Sequence, residues 1–171
     1  MNNITVNMEN LSEEERATMM MLIEKANKPK SKVWKPKCGE MYYCITDGST
    51  GRGMHIVLDY NWENDTVDRF LYSIGNCYKT EEEGKFAIEY LKVRAELQRY
   101  ADENNDKMDW NDGGIAKYHI VFDCSLKIIS TTWTYVNKID VIYFSSEKVA
   151  ENAIEAIGAD RIKKYYLGVE D

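Results

Sequence analysis

The feature that most constrains this chain is the likeness of one part of it to another. The stretch NCYKTEEEGKFAIEYL, from Asn76 to Leu91, has a later counterpart in IYFSSEKVAENAIEAI, from Ile142 to Ile157. Setting Ala87, Ile88 and Glu89 on Ala153, Ile154 and Glu155, an offset of 66, also sets Thr80 on Ser146, two residues suited to opening a helix. Upstream the offset is 71 at the tryptophans (Trp62 on Trp133) and 77 at the first strand-like runs (Met41 on Tyr118). The shrinkage falls in turns, where changes of length are tolerated. The pattern predicts one unit used twice.

Taken in order, the chain starts with a helix over Leu11 to Ala26. Ser12 and Glu15 form a capping box, and Met19, Leu22, Ile23 and Ala26 share a face expected to pack on the rest of the protein. Pro29 and Pro36 bracket a lysine-rich connection. From Glu40 the apolar period changes to two. Strands are expected near Met41 to Thr46 and Met54 to Tyr60, joined across the glycine-rich Asp47 to Gly53, with a third strand over Val67 to Tyr78 bent near Gly75. Thr80 and Glu83 then cap a long helix striped by Phe86, Tyr90, Val93, Leu97 and Tyr100, with Glu81 to Lys85 and Lys92 to Glu96 as surface pairs.

After the acidic stretch Asp102 to Gly114 the same order returns. Strands are expected at Tyr118 to Asp123, Lys127 to Val136 and Ile139 to Phe144. A helix capped by Ser145 or Ser146 follows, striped by Val149, Ala150, Ala153, Ile154 and Ile157 and stopped at Gly158. A short helix near Asp160 to Tyr166 finishes the chain. The fold class is therefore read as α+β: tandem βββα units, antiparallel sheets with helices on one side, preceded by an N-terminal helix. The corresponding divisions are 1–31 for that helix and its tether, 32–101 for the first unit, 102–114 for the acidic linker and 115–171 for the second unit.

Composition narrows the function classes. With 171 residues and a formal charge of −7, broad binding to phosphate backbones is not expected. No run reaches the roughly 20 apolar residues that span a bilayer, and the start lacks the basic and apolar regions of a signal peptide, so a cytoplasmic location is expected. Cys38, Cys44, Cys77 and Cys124 include no C-x-x-C pair and are read as reduced, core or half-buried thiols. His55 and His119 have no close cysteine or histidine partner, so neither a metal site nor a cofactor is expected.

Motifs that carry catalysis are missing from the sequence. Gly48 to Gly53, GSTGRG, lacks the Walker spacing and joins two strands, which makes it a hairpin loop. His55 with Asp59, and His119 with Asp123, are four residues apart in strands, too far for a direct bond. The many aromatics are read as sheet packing because RNP patterns are absent. Trp110 is the exception, an indole among Asp102, Asp106, Asp109 and Asp112 in a segment without apolar periodicity. Acids gathered without bases, around an aromatic anchor, suit contact with a basic partner. Asp102, Asp106, Asp109, Trp110 and Asp112 are the candidate binding residues.

Three stretches, WKPKCGEMYYCI from Trp34, SIGNCYKTEEE from Ser73 and DRIKKYYLGV from Asp160, resemble uncharacterised small proteins encoded by phages and prophages of Gram-positive bacteria. The resemblance covers most of residues 32 to 169 and leaves out the N-terminal helix. It brings no assigned activity and no catalytic residues. What it implies is a non-enzymatic phage accessory protein, with a host or phage protein as partner. An inhibitor of an antiviral defence system that blocks a nucleic-acid-binding protein fits this expectation. A nucleotide sponge, a virion or replication component, and an enzyme with an unrecognised site are the alternatives.

Overall fold

A computed structural model describes residues 10–27, 31–46 and 56–170. The chain forms two compact units, Met1–Lys35 and Pro36–Asp171. In the first, α1 (Glu13–Asn27) opens with the Ser12 amide on Glu15 Oε2 at 2.8 Å and the Glu15 amide on Ser12 Oγ at 3.3 Å. Three glutamates occupy its first turn, at the positive end of the helix dipole. α1 buries no side chain, and Met20, Met21, Leu22 and Ile23 are exposed. Parts of the lysine-rich connection, the glycine-rich loop and His55 lie outside the described residues.

The second unit is α+β, with two separate two-stranded antiparallel sheets. β1 (Met41–Thr46) pairs with β2 (Ile56–Asn61), Tyr42 opposite Tyr60 and Cys44 opposite Leu58. The expected third strand over Val67 to Tyr78 is instead α2 (Thr66–Ser73) followed by a single bridge, Tyr43 to Tyr78, made by two backbone bonds of 2.9 and 2.8 Å. The reason is a capping box. Asp65 Oδ1 accepts from the Asp68 amide at 2.8 Å, and Asp68 Oδ2 accepts from the Asp65 amide at 3.3 Å. Two orphan donors are thereby satisfied, and β-favouring Val67, Phe70 and Tyr72 are carried in a helix. Gly75, at φ 76°, ends it: its amide bonds Tyr72 O and the Asn76 amide bonds Leu71 O, the paired closure of a Schellman motif. The Asn76 side chain then takes the place of a strand, donating to Ile45 O and accepting from Ile45 N, both at 2.8 Å.

α3 (Glu81–Asn104) is capped by Thr80 and buries Ile88, Val93, Leu97 and Ala101, while the expected Phe86, Tyr90 and Tyr100 are only half-buried. Gly84 is required where α3 crosses β2, since a Cβ there would come within 2.7 Å of Val57 Cγ1. Lys85 pairs with Glu81 at 2.7 Å, as expected, but Lys92 turns to Glu89, and Glu96 is held by Arg161 Nη1 and Nη2 at 2.8 and 3.1 Å. A bidentate partner from another element outcompetes the neighbour on the same helix. α3 also runs three residues into the stretch read as a linker, and Asp102 lies on it.

β3 (Lys117–Asp123) and β4 (Ile128–Thr134) form the second hairpin. Asp123 Oδ1 closes the turn by accepting from the amides of Ser125 and Leu126. Here too the expected third strand, Ile139 to Phe144, is reduced to one bridge, Tyr118 to Phe144. Asp140 is left-handed at φ 59°, and side chains occupy the flanking backbone: Tyr166 Oη meets the Ile142 amide, and Asn105 bonds both Tyr143 O and Ser145 N. The bridges put Tyr43 on Tyr118, an offset of 75 instead of 77. Trp133 pairs with Tyr118, whereas Tyr43 pairs with Asp59, so buried Trp62 and exposed Trp133 are not equivalent.

α4 (Glu147–Ile157) is capped by Ser146 and ended by Gly158 at φ 99°. α5 (Ala159–Arg161) runs on into a π-helical turn, Ile162–Tyr166. One cluster joins Val93, Leu97 and Ala101 of α3 to Ile120, Ile142, Phe144, Ala150, Ala153, Ile157 and Ile162. The helix of the first half thus supplies the core of the second. All four cysteines are free; Cys44 is buried and Cys77 half-buried, but Cys38 and Cys124 are exposed rather than covered. No helix among the described residues is long and apolar enough to cross a membrane.

Candidate binding surfaces

The acidic stretch is tied down by polar contacts that leave no apolar period. The Asp106 amide donates to Ser145 Oγ at 3.1 Å, next to the Asn105 bonds that pin Tyr143 and Ser145. Asp109 Oδ1 accepts from the Asn111 amide and Asp112 Oδ1 from the Gly114 amide, each at 2.8 Å, so both are turn formers as well as charges. Asp102 accepts from Gln98 on its own helix. Asp102, Asp106, Asp109 and Asp112 are all exposed.

Trp110 does not stand free in this stretch. Its ring meets Tyr143 edge-on, centroids 4.8 Å apart, and the Lys117 ammonium sits 5.1 Å from its centroid while donating to Asp112 O at 2.9 Å. Lys117, 1% exposed, keeps its charge covered through a carbonyl and a ring face. Two residues along β3, on the same face, buried His119 packs on Tyr143, and its Nε2 lies 3.4 Å from Lys138 Nζ. Burial first, and Lys138 second, hold the imidazole below its ordinary pKa, so it is neutral near pH 7. Asp123 is used in its turn and is no partner of His119. Among the described residues no group of three or more His, Cys, Asp or Glu is placed to hold a metal ion.

A second surface was missed by reading α2 as a strand. This helix carries apolar residues on two sides: Leu71 and Tyr72 are half-buried one turn on from Asp68, with Tyr72 edge-on to buried Trp62, while a second apolar stripe faces solvent. Its buried residue is Asp68, 5% exposed, whereas Val67, Phe70 and Ile74 are 59%, 59% and 57% exposed. Asp68 is drawn inward by Tyr42 Oη, fully buried, which donates at 2.8 Å, and by the Glu63 amide at 2.7 Å. Burial raises the Asp68 pKa, but the bonds from Tyr42 and from the amides of Glu63, Asp65 and Asn64 together outweigh it and hold the carboxyl below its usual value. No protein-family model, curated protein or solved structure matches this chain. The reading of these surfaces therefore rests on geometry.

Beyond Ile74 the apolar surface runs into two adjoining grooves along α3. One, of about 380 Å³, is lined by Ile45, Ile74, Tyr78, Ala87, Tyr90 and Leu91. The other, of about 270 Å³, is lined by Ile45, Ile88, Leu91 and Ala95, with Lys92, Glu96 and Arg99 at the side. Positions 87, 91, 95 and 99 lie four apart on one face, about 18 Å from end to end, or roughly three helical turns. The spacing was in the sequence, in Ala87, Leu91 and Ala95. Which face of α2 would lie beside it was not.

Proposed function

We propose that this is a non-enzymatic binding protein acting by protein–protein contact. The carrying observation is α2, pinned by buried Asp68 with a stripe of Val67, Phe70 and Ile74 toward solvent. Contiguous exposed apolar surface of this kind marks an interaction site, because it is costly to leave in water. The occupant we assign to the groove is an amphipathic helix of a partner protein: alanines on either side of Leu91 leave room for large side chains, and Lys92 and Arg99 suit acidic flanks. The resemblance to phage proteins supports a cytoplasmic host or phage partner, including an antiviral defence protein. The order shared by the two halves, a hairpin, a single bridge and a capped helix, supports reading them as copies of one unit.

The test is paired affinity capture from a bacterial lysate with wild type and a Phe70→Glu/Ile74→Glu variant. Both substitutions are on exposed sites, so the melting temperature should change by less than about 1 kcal/mol of stability implies. A partner held by wild type should be lost by the variant, with affinity at least tenfold weaker. Equal retention by both would remove this face from the site.

The acidic stretch favours a second reading, contact with a basic partner, because its acids stay exposed while Trp110, Asn105 and Asp106 hold the backbone in place. Asp106→Asn/Asp109→Asn/Asp112→Asn keeps the acceptor oxygens of the turns at 109 and 112 and removes three charges. Retention of a partner through this stretch should fall several-fold at about 0.05 M salt, and the difference should vanish near 0.5 M. A partner retained equally by wild type and variant at low salt would return the stretch to a solvated connector.

A further inference from the structure

The outer edge of β4 is open. Tyr118 gives its amide and carbonyl to Phe144, at 2.9 and 2.8 Å, so the alternate residues of β3, Lys117, His119 and Val121, turn theirs to Thr134, Thr132 and Ser130. It follows that Ile129, Thr131 and Trp133 turn their backbone groups away from the sheet, and among the described residues no other strand pairs with them. The run Ile128 to Val136, IISTTWTYV, carries no charge, glycine or proline, and Trp133 is 56% exposed. Such an edge is a template for another strand.

What lies beside the edge selects the occupant. A groove of about 510 Å³ runs between Ile129, Ser130 and Thr131 of β4 and Glu147, Glu151, Ile154 and Glu155 of α4. The three glutamates are four residues apart on one helix face, a rise of about 6 Å each. Alternate residues of an extended strand are about 6.6 Å apart, a close match. A second copy of this chain added at the edge would bring two such glutamate rows together, which opposes self-pairing.

The geometry points to β4 as an acceptor for an extended, basic segment of a partner protein, paired through the backbone of Ile129, Thr131 and Trp133, with alternate Lys or Arg side chains on Glu147, Glu151 and Glu155. This site is distinct from the groove along α3 and stands whether or not that groove binds a helix.

The test adds a peptide of about nine residues alternating lysine and valine to the full chain and follows amide hydrogen exchange by NMR. Exchange at Ile129, Thr131 and Trp133 should slow about tenfold or more, while a peptide alternating glutamate and valine should leave it unchanged. Thr131→Pro removes an edge amide, which strand edges tolerate, and should abolish the protection. Should that variant melt early, Glu147→Gln/Glu151→Gln/Glu155→Gln, confined to helix surface, should weaken the lysine peptide several-fold and erase the preference over its glutamate counterpart. Binding of the lysine peptide without protection of these amides would overturn the proposal, as would equal binding of both peptides. Protection that rises with protein concentration alone would assign the edge to a second copy instead.

Discussion

Leu97→Asp is expected to unfold the larger unit or lower its stability by on the order of 5 kcal/mol. Leu97 is 0% exposed and lies at the junction of α3 with Ile120, Phe144 and α4. An aspartate there loses the apolar burial, leaves a cavity and brings in a carboxylate without a partner. The comparison variant Leu97→Ala isolates the first two effects and should cost about 3 kcal/mol. Thermal unfolding by circular dichroism measures both. An unchanged midpoint for Leu97→Asp would mean that α3 does not supply this core. Because Val93, Leu97 and Ala101 serve the second half from the helix of the first, the loss should appear as one transition across both halves.

Asp68→Ala is the second large effect, at about 3 kcal/mol or more. It strands the buried Tyr42 hydroxyl and the amides of Glu63 and Asp65, each bond to a carboxylate being worth about 1.5 to 3 kcal/mol. Tyr42→Phe removes the donor instead of the acceptor and should cost about 1 kcal/mol, and the double variant should cost less than the sum. The pH dependence has a definite sign. The folded carboxyl is held below its usual value, so its contribution is complete above the unfolded value of about 3.9 and is lost as pH falls through the folded value. Wild type should thus lose stability to acid below about pH 4, and Asp68→Asn should lack that part of the loss. Binding through Phe70 and Ile74 should fall with Asp68→Ala even where the fold survives, since the bonds to Asp68 help to hold α2 in its orientation, beside the packing of Tyr72 on Trp62. A helix face still able to bind in Asp68→Ala would show that its orientation has another cause.

Local chemistry made much of this fold legible in the chain. Ser12 with Glu15, Thr80 with Glu83 and Ser146 mark helix starts because a side-chain acceptor three residues from an amide is a local arrangement, and Gly158 marks an end because its φ of 99° suits glycine. The two hairpins follow from alternation of period two. Even α2 carried its signal, Asp65 and Asp68, but with aspartate where a capping box more often has glutamate, amid residues that favour strands. The third strands could not be read from propensity: the local capping box of Asp65 and Asp68 turned most of the first into α2, and side chains from afar took up flanking backbone, Asn76 on Ile45, Asn105 on Tyr143 and Ser145, and Tyr166 on Ile142.

The surfaces divide the same way. The sequence by itself determined the charge of Asp102 to Asp112, the glutamates at 147, 151 and 155, and the uncharged run from Ile128 to Val136. Tertiary structure alone decided that Trp110 rests on Tyr143 and Lys117, that α2 leaves Val67, Phe70 and Ile74 outward, and that the glutamate row lies beside an open strand edge. Composition and spacing set which groups share an element, whereas the side of that element left to solvent depends on bonds between residues distant in sequence. Tyr42 with Asp68, 26 positions apart, and Trp62 with Tyr72 set it for α2, and Tyr118 with Phe144, also 26 apart, sets it for β4.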